Sequence, residues 1–119
     1  MSAIAQRQSS TFKLGWGLLL FLAVGTMLGH LGLLLFDPGF EVGFIGWATF
    51  ELLLAAIVAI PYRRGERWAW TVVWAVVIPY GLVMFFNPEI GPYYLGMAVL
   101  TAIGQALTYS AFFGQGARG

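Results

Sequence analysis

The stretch that decides the fold is residues 13–41, KLGWGLLLFLAVGTMLGHLGLLLF followed by DPGFE. Between Lys13 and Asp37 it carries no other Asp, Glu, Lys or Arg. A helix needs about 20 apolar residues to cross a hydrocarbon core of about 30 Å, and this run is long enough at a rise of about 1.5 Å per residue. Asp37-Pro38-Gly39 then ends it, because proline removes a backbone donor and glycine lets the chain reverse. The run is too long for a signal-peptide core and no A-x-A-like cleavage site follows it, so it reads as a true spanning helix.

Working outward, the same pattern recurs. Apolar runs occupy about Lys13–Phe36, Val42–Tyr62, Arg67–Phe86 and Pro92–Phe113. Asp37–Glu41, Arg63–Glu66 and Asn87–Gly91 separate them as short polar connectors with Pro or Gly. Connectors this short make consecutive helices antiparallel. Spanning segments must satisfy their own backbone, which leaves helices or closed barrels. The runs lack the alternation over about 10 residues that barrel strands show. The expected fold is all-α, a transmembrane antiparallel four-helix bundle over residues 13–113. A polar N-terminal tail of residues 1–12 and a C-terminal tail of residues 114–119 are expected to be mobile.

Composition agrees. Of 119 residues, 60% are hydrophobic and 9% charged, too few charges to cover a water-soluble globule. There is no cysteine, which excludes disulfides, thiol redox chemistry and cysteine-held zinc or iron–sulfur centres. The basic residues form no nucleic-acid-binding surface; the expected partner is the lipid bilayer.

Charge sets the topology. With four spans, Arg7, Lys13, Arg63, Arg64, Arg67 and Arg118 fall on one side, and Asp37, Glu41 and Glu89 on the other. The positive-inside rule then places both termini and the topology-setting Arg63, Arg64 and Arg67 in the cytoplasm. Trp16, Tyr62 and Trp68 sit at that interface, Tyr93 and Tyr94 at the opposite one, as amphipathic anchors.

Ionisable groups inside a span are costly and are functional candidates by default. Glu51 lies about nine residues into the second run, roughly 13 Å deep, and His30 lies six residues before the end of the first, roughly 9 Å deep at the helical rise. Tyr80 and Thr101 reach similar depths, so His30, Glu51, Tyr80 and Thr101 form a candidate intramembrane site with one residue per helix. Such a site could relay a proton or hold the head group of a lipid or quinone; equally, Glu51 could be protonated and bond to neighbouring helices. A single histidine cannot supply a multi-histidine metal site or bis-histidine haem ligation, and no metal or other cofactor is expected.

Small residues mark helix contacts. Gly25 and Gly29 make a GxxxG in the first helix, Ala55 and Ala59 repeat the spacing in the second, and Ala98, Ala102 and Ala106 do so in the fourth. Thr101, Gln105 and Thr108 share one face of the fourth helix. Pro79 is expected to kink the third helix, and Trp70 and Trp74 give it an aromatic face. No P-loop, H-E-x-x-H, G-x-S-x-G or dinucleotide motif is present.

The middle hairpin, Ile60-Pro61-Tyr62-Arg63-Arg64-Gly65-Glu66-Arg67-Trp68-Ala69-Trp70, with Phe112-Phe113 closing the last span, resembles a group of small bacterial four-helix membrane proteins, broadly similar to DoxX-like proteins. The resemblance covers about ten residues and implies a bacterial plasma membrane without a particular activity. Small multidrug resistance transporters share the size and helix count. Their membrane carboxylate, however, is on helix one, and the dual-topology members need a weak charge bias, unlike this chain. The expected function is a non-enzymatic accessory or structural membrane component, with a membrane-protein partner or a homo-oligomer; a separate reading is a homo-oligomeric transporter that uses the fourth helix as its seam. The alternative is binding or transport of a lipid, quinone or proton at Glu51 and His30.

Overall fold

The computed structural model describes residues 2–114. Arg118 and positions 115–119 of the expected C-terminal tail lie outside the described residues. The chain forms α1 (Ala3–Gln8), α2 (Ser10–Phe36), α3 (Glu41–Ile57), continued by a π-helical turn over Val58–Tyr62, α4 (Arg67–Phe86) and α5 (Gly91–Phe113). Four of these segments, with α3 and its π turn counted as one, are long and apolar enough to cross a membrane. The architecture is an all-α four-helix bundle with the basic connector at one end and the two acidic connectors at the other.

The N-terminal tail needs correction: most of it is helix. Ser2 Oγ accepts the Ala5 N–H at 3.1 Å and starts α1. Ser9 then breaks the helix, and its Oγ accepts the Phe12 N–H at 3.2 Å to cap α2. Serine serves both positions because its hydroxyl replaces a missing intrahelical acceptor. Phe12, expected in the tail, is buried between Tyr62 and Phe112, at ring-centroid distances of 6.5 and 6.3 Å. Ser110 donates to Gln6 Oε1 at 3.2 Å, tying α1 to the end of α5.

The spans are apolar nearly all round, so hydrophobicity alone does not mark the core. The marker is a seam with alternating spacings of three and four. On α5 the buried set includes Tyr94, Ala98, Thr101, Gln105, Thr108 and Phe112; α4 buries Ala69, Val73, Val76 and Tyr80. On α3 and its π turn, Ala48, Glu51, Ala55, Val58 and Tyr62 keep the same rhythm. That 3.5-residue repeat is the spacing of knobs-into-holes helix packing. Outside the seam, large apolar side chains such as Phe21, Leu35, Val42, Ile78 and Phe85 point outward, as lipid-facing positions do.

α4 packs on α5, α5 on α2, and α2 on α3. The α2–α5 contact is the tight one. A Cβ added to Gly15 would stand 2.8 Å from the Gly104 carbonyl oxygen, and one on Gly104 would stand 2.7 Å from Leu19. Between α3 and α4, by contrast, Trp47, Phe50 and Tyr80 fill the space, and aromatic bulk holds those backbones apart beyond their shared connector.

That connector closes on Gly65, at φ +81°. The Gly65 N–H bonds the Tyr62 carbonyl at 3.0 Å and the Glu66 N–H bonds the Pro61 carbonyl at 3.1 Å, the paired bonds of a Schellman cap. Pro61 lies inside the π turn; its missing N–H fits the widened local hydrogen bonding. Trp16 Nε1 donates to the Val58 carbonyl there at 2.7 Å. At the acidic end Gly91 allows the α4–α5 turn, since a Cβ there would meet Met84 Cα at 2.6 Å. α4 runs as one helix through Pro79.

Candidate functional site: two buried polar networks

Near the acidic end the bundle encloses four polar side chains, one from each span. His30 of α2 is one turn beyond Thr26 on the seam and faces α3, where Glu51 is wholly buried. His30 Nδ1 lies 2.9 Å from Glu51 Oε2 and 3.0 Å from the Thr26 carbonyl oxygen. Tyr80 of α4 donates its hydroxyl to Glu51 Oε1 at 2.8 Å. On the far side of the imidazole, Nε2 lies 2.8 Å from the hydroxyl of Tyr94 on α5.

The geometry assigns the histidine proton. A backbone carbonyl only accepts, so with both the Thr26 carbonyl and Glu51 facing Nδ1, that nitrogen carries the hydrogen and donates to both. Glu51 then accepts from His30 through Oε2 and from Tyr80 through Oε1. Nε2 accepts from Tyr94 when the ring is neutral and donates to it when the ring is an imidazolium. Rings pack around the set: Trp47 stacks on His30 at 5.7 Å and on Tyr80 at 5.4 Å, with Tyr94 5.3 Å away.

Of the four candidate residues, His30, Glu51 and Tyr80 come together and Thr101 does not. The Thr101 hydroxyl donates back to the Met97 carbonyl at 2.8 Å, and its side chain borders a void of about 10 Å³ lined by Leu19, Leu22, Leu54 and Tyr80 among others. The place given to Thr101 belongs to Tyr94, expected only as an interfacial anchor. It stands seven residues earlier on the same seam, and its longer side chain reaches His30.

Toward the basic end lies a second network. Tyr62, from the π turn, donates to Gln105 Oε1 at 2.6 Å and is in short hydrogen-bond contact with the Thr108 hydroxyl. Gln105 Nε2 donates to the Trp70 carbonyl at 2.6 Å, and Trp70 Nε1 returns a bond to the Gln105 carbonyl at 3.2 Å. Tyr62, Gln105 and Thr108 have no solvent exposure. Among the described residues no buried side-chain nitrogen or oxygen lacks a partner.

The remaining predicted positions divide. Ala98 is buried, Ala102 half-buried and Ala106 exposed, because a four-residue row drifts off a 3.5-residue seam. Gly25 and Gly29 face outward, with nothing within 4 Å of an added Cβ, and the close approach expected there is made by Gly15 and Gly104. Arg63 lies over the Trp16 ring at 5.3 Å. Arg67 Nε donates to the Phe112 carbonyl at 3.1 Å, and the Arg64 side chain is exposed. Among the described residues no three His, Asp or Glu side chains converge as a metal site would require.

No family model, curated protein or solved structure matches the chain.

Proposed function

We propose that this chain is a multi-pass component of a bacterial plasma membrane, with both termini cytoplasmic, acting as a non-enzymatic accessory or structural subunit. The observation that carries the reading is the closure of the buried polar groups upon one another. His30, Glu51, Tyr80 and Tyr94 are mutually bonded, and the neighbouring void of about 10 Å³ compares with about 300–1,000 Å³ for a small-molecule site. Such a network fixes which helices neighbour which, a specificity that uniform apolar packing in lipid supplies poorly. Arg7, Lys13, Arg63, Arg64 and Arg67 against Asp37, Glu41 and Glu89 support the orientation, and the Ile60–Trp70 hairpin, similar to that of small DoxX-like bacterial proteins, supports the membrane.

A partner helix would meet an outer face. Ala98 is inside the bundle, so the seam expected along the fourth helix is not available to a second chain there. The outward Gly25 and Gly29 of α2 offer close backbone approach instead. Native mass spectrometry of the gently solubilised protein tests the proposal: a stoichiometric second membrane protein supports it, and a partnerless monomer opposes it.

One observation favours a second reading. Tyr80, Glu51, His30 and Tyr94 form an unbroken chain of bonds of 2.8–2.9 Å, and Tyr94 is within about one turn of the start of α5. A proton entering at Tyr94 would convert His30 to the imidazolium beside Glu51. Proton flux into liposomes that is lost in Glu51→Gln would favour this reading.

A further inference from the structure

At the basic end α1 lies beside the start of α2 and leaves an open groove of about 490 Å³. Three cations line it from three segments: Arg7 on α1, Lys13 in the first turn of α2, and Arg63 in the connector after the π turn. Ile4, Phe12 and Trp16 form its apolar wall. No acidic residue lines the groove. Among the described residues the single ion-pair contact is His30–Glu51, so no described carboxylate forms an ion pair with any of the three cations. Arg7 is nonetheless half-buried. A Cβ on Gly65 would stand 2.5 Å from Arg7 Nη1, so the guanidinium is seated on the backbone of the basic connector. Arg63 is held over the Trp16 ring.

Like charges gathered without a paired carboxylate repel one another, and the arrangement is stabilised when an anion completes it. The groove sits at the basic end of the spans, where the head groups of a bilayer crossed by those spans would lie, and joins its cations to an apolar wall that continues into the first turns of α2. A soluble phosphate would use only the cations. A phospholipid uses both parts, its phosphate among the three basic groups and its upper acyl chain along the wall. We infer that this groove binds an anionic diacyl phospholipid. The inference does not depend on the subunit role proposed above.

The test is lipid binding to the purified full chain in neutral detergent, read by native mass spectrometry, with phosphatidylglycerol and phosphatidylcholine as probes. Phosphatidylglycerol is expected to bind at least tenfold more tightly. The preference is expected to vanish when Arg7, Lys13 and Arg63 are all changed to Gln, and to persist when Arg64 and Arg67 are. Gly17→Trp serves as a second variant that leaves the charge unaltered. Gly17 lines the groove, and an added Cβ there meets nothing within 4 Å, so the indole fills the groove and is expected to weaken binding at least fivefold without unfolding the bundle. Unchanged binding in Gly17→Trp, or equal loss in the Arg64/Arg67 variant, would overturn the inference in favour of non-specific surface charge. Displacement of the lipid by millimolar inorganic phosphate would overturn it in favour of a soluble anion.

Discussion

The hydroxyl of Tyr94 lies 2.8 Å from Nε2 of His30, on the side of the imidazole opposite Glu51. That contact completes a polar chain running through all four spans, from α4 through α3 and α2 to α5. Its importance should be visible by comparison with the next residue along. Tyr94→Phe leaves Nε2 without a partner and is expected to cost about 1–2 kcal/mol. Tyr93→Phe, at a side chain 59% exposed, should leave stability unchanged. Thermal unfolding of the two variants in detergent checks the difference.

The glycines make a sharper contrast. Gly15→Ala forces a Cβ to within 2.8 Å of the Gly104 carbonyl oxygen and should destabilise the bundle by about 1–3 kcal/mol through backbone displacement. Gly25→Ala and Gly29→Ala meet nothing and should be neutral or stabilising by up to about 1 kcal/mol, because alanine favours helix. Unfolding midpoints measured in parallel would reveal a ranking opposite to the one the GxxxG pattern suggests.

At the basic end, Tyr62→Phe removes the donor to Gln105 and the contact to Thr108 while keeping the ring stacked on Phe12 and edge-on to Phe112. The expected loss is about 1–2 kcal/mol. Hydrogen exchange of the α4 and α5 amides near Trp70 and Gln105 should rise, with those around His30 unaffected.

The helix count, the connectors and the segregation of charge were legible because they depend on run length and on Pro, Gly, Arg and Asp, whose roles are local. The meeting of His30, Glu51 and Tyr80 was legible from depth alone, since the helical rise converts sequence distance into position along the membrane normal. Rotation about each helix was harder to read. In lipid, outward residues are as apolar as inward ones, so hydrophobicity gives no direction, and the GxxxG of Gly25 and Gly29 lies on the outer surface of the bundle. The polar row Thr101, Gln105 and Thr108 did carry the direction of α5. Extended by seven residues, it reaches Tyr94. The helix before Lys13 was not legible from polarity alone: Ser2 and Ser9 add to the polar character of residues 1–12, yet each caps a helix, as serine commonly does.

His30 and Glu51, bonded at 2.9 Å, should act as one structural unit inside the bundle. A double-mutant cycle with Glu51→Leu, His30→Leu and their combination, followed by reversible unfolding in detergent, tests it most directly. Each single change strands its partner in a buried site and should cost about 3–5 kcal/mol; the double variant should cost less than the sum of the two by at least about 1 kcal/mol. Additive losses would contradict the claim, because they would mean that the two side chains contribute to the fold independently.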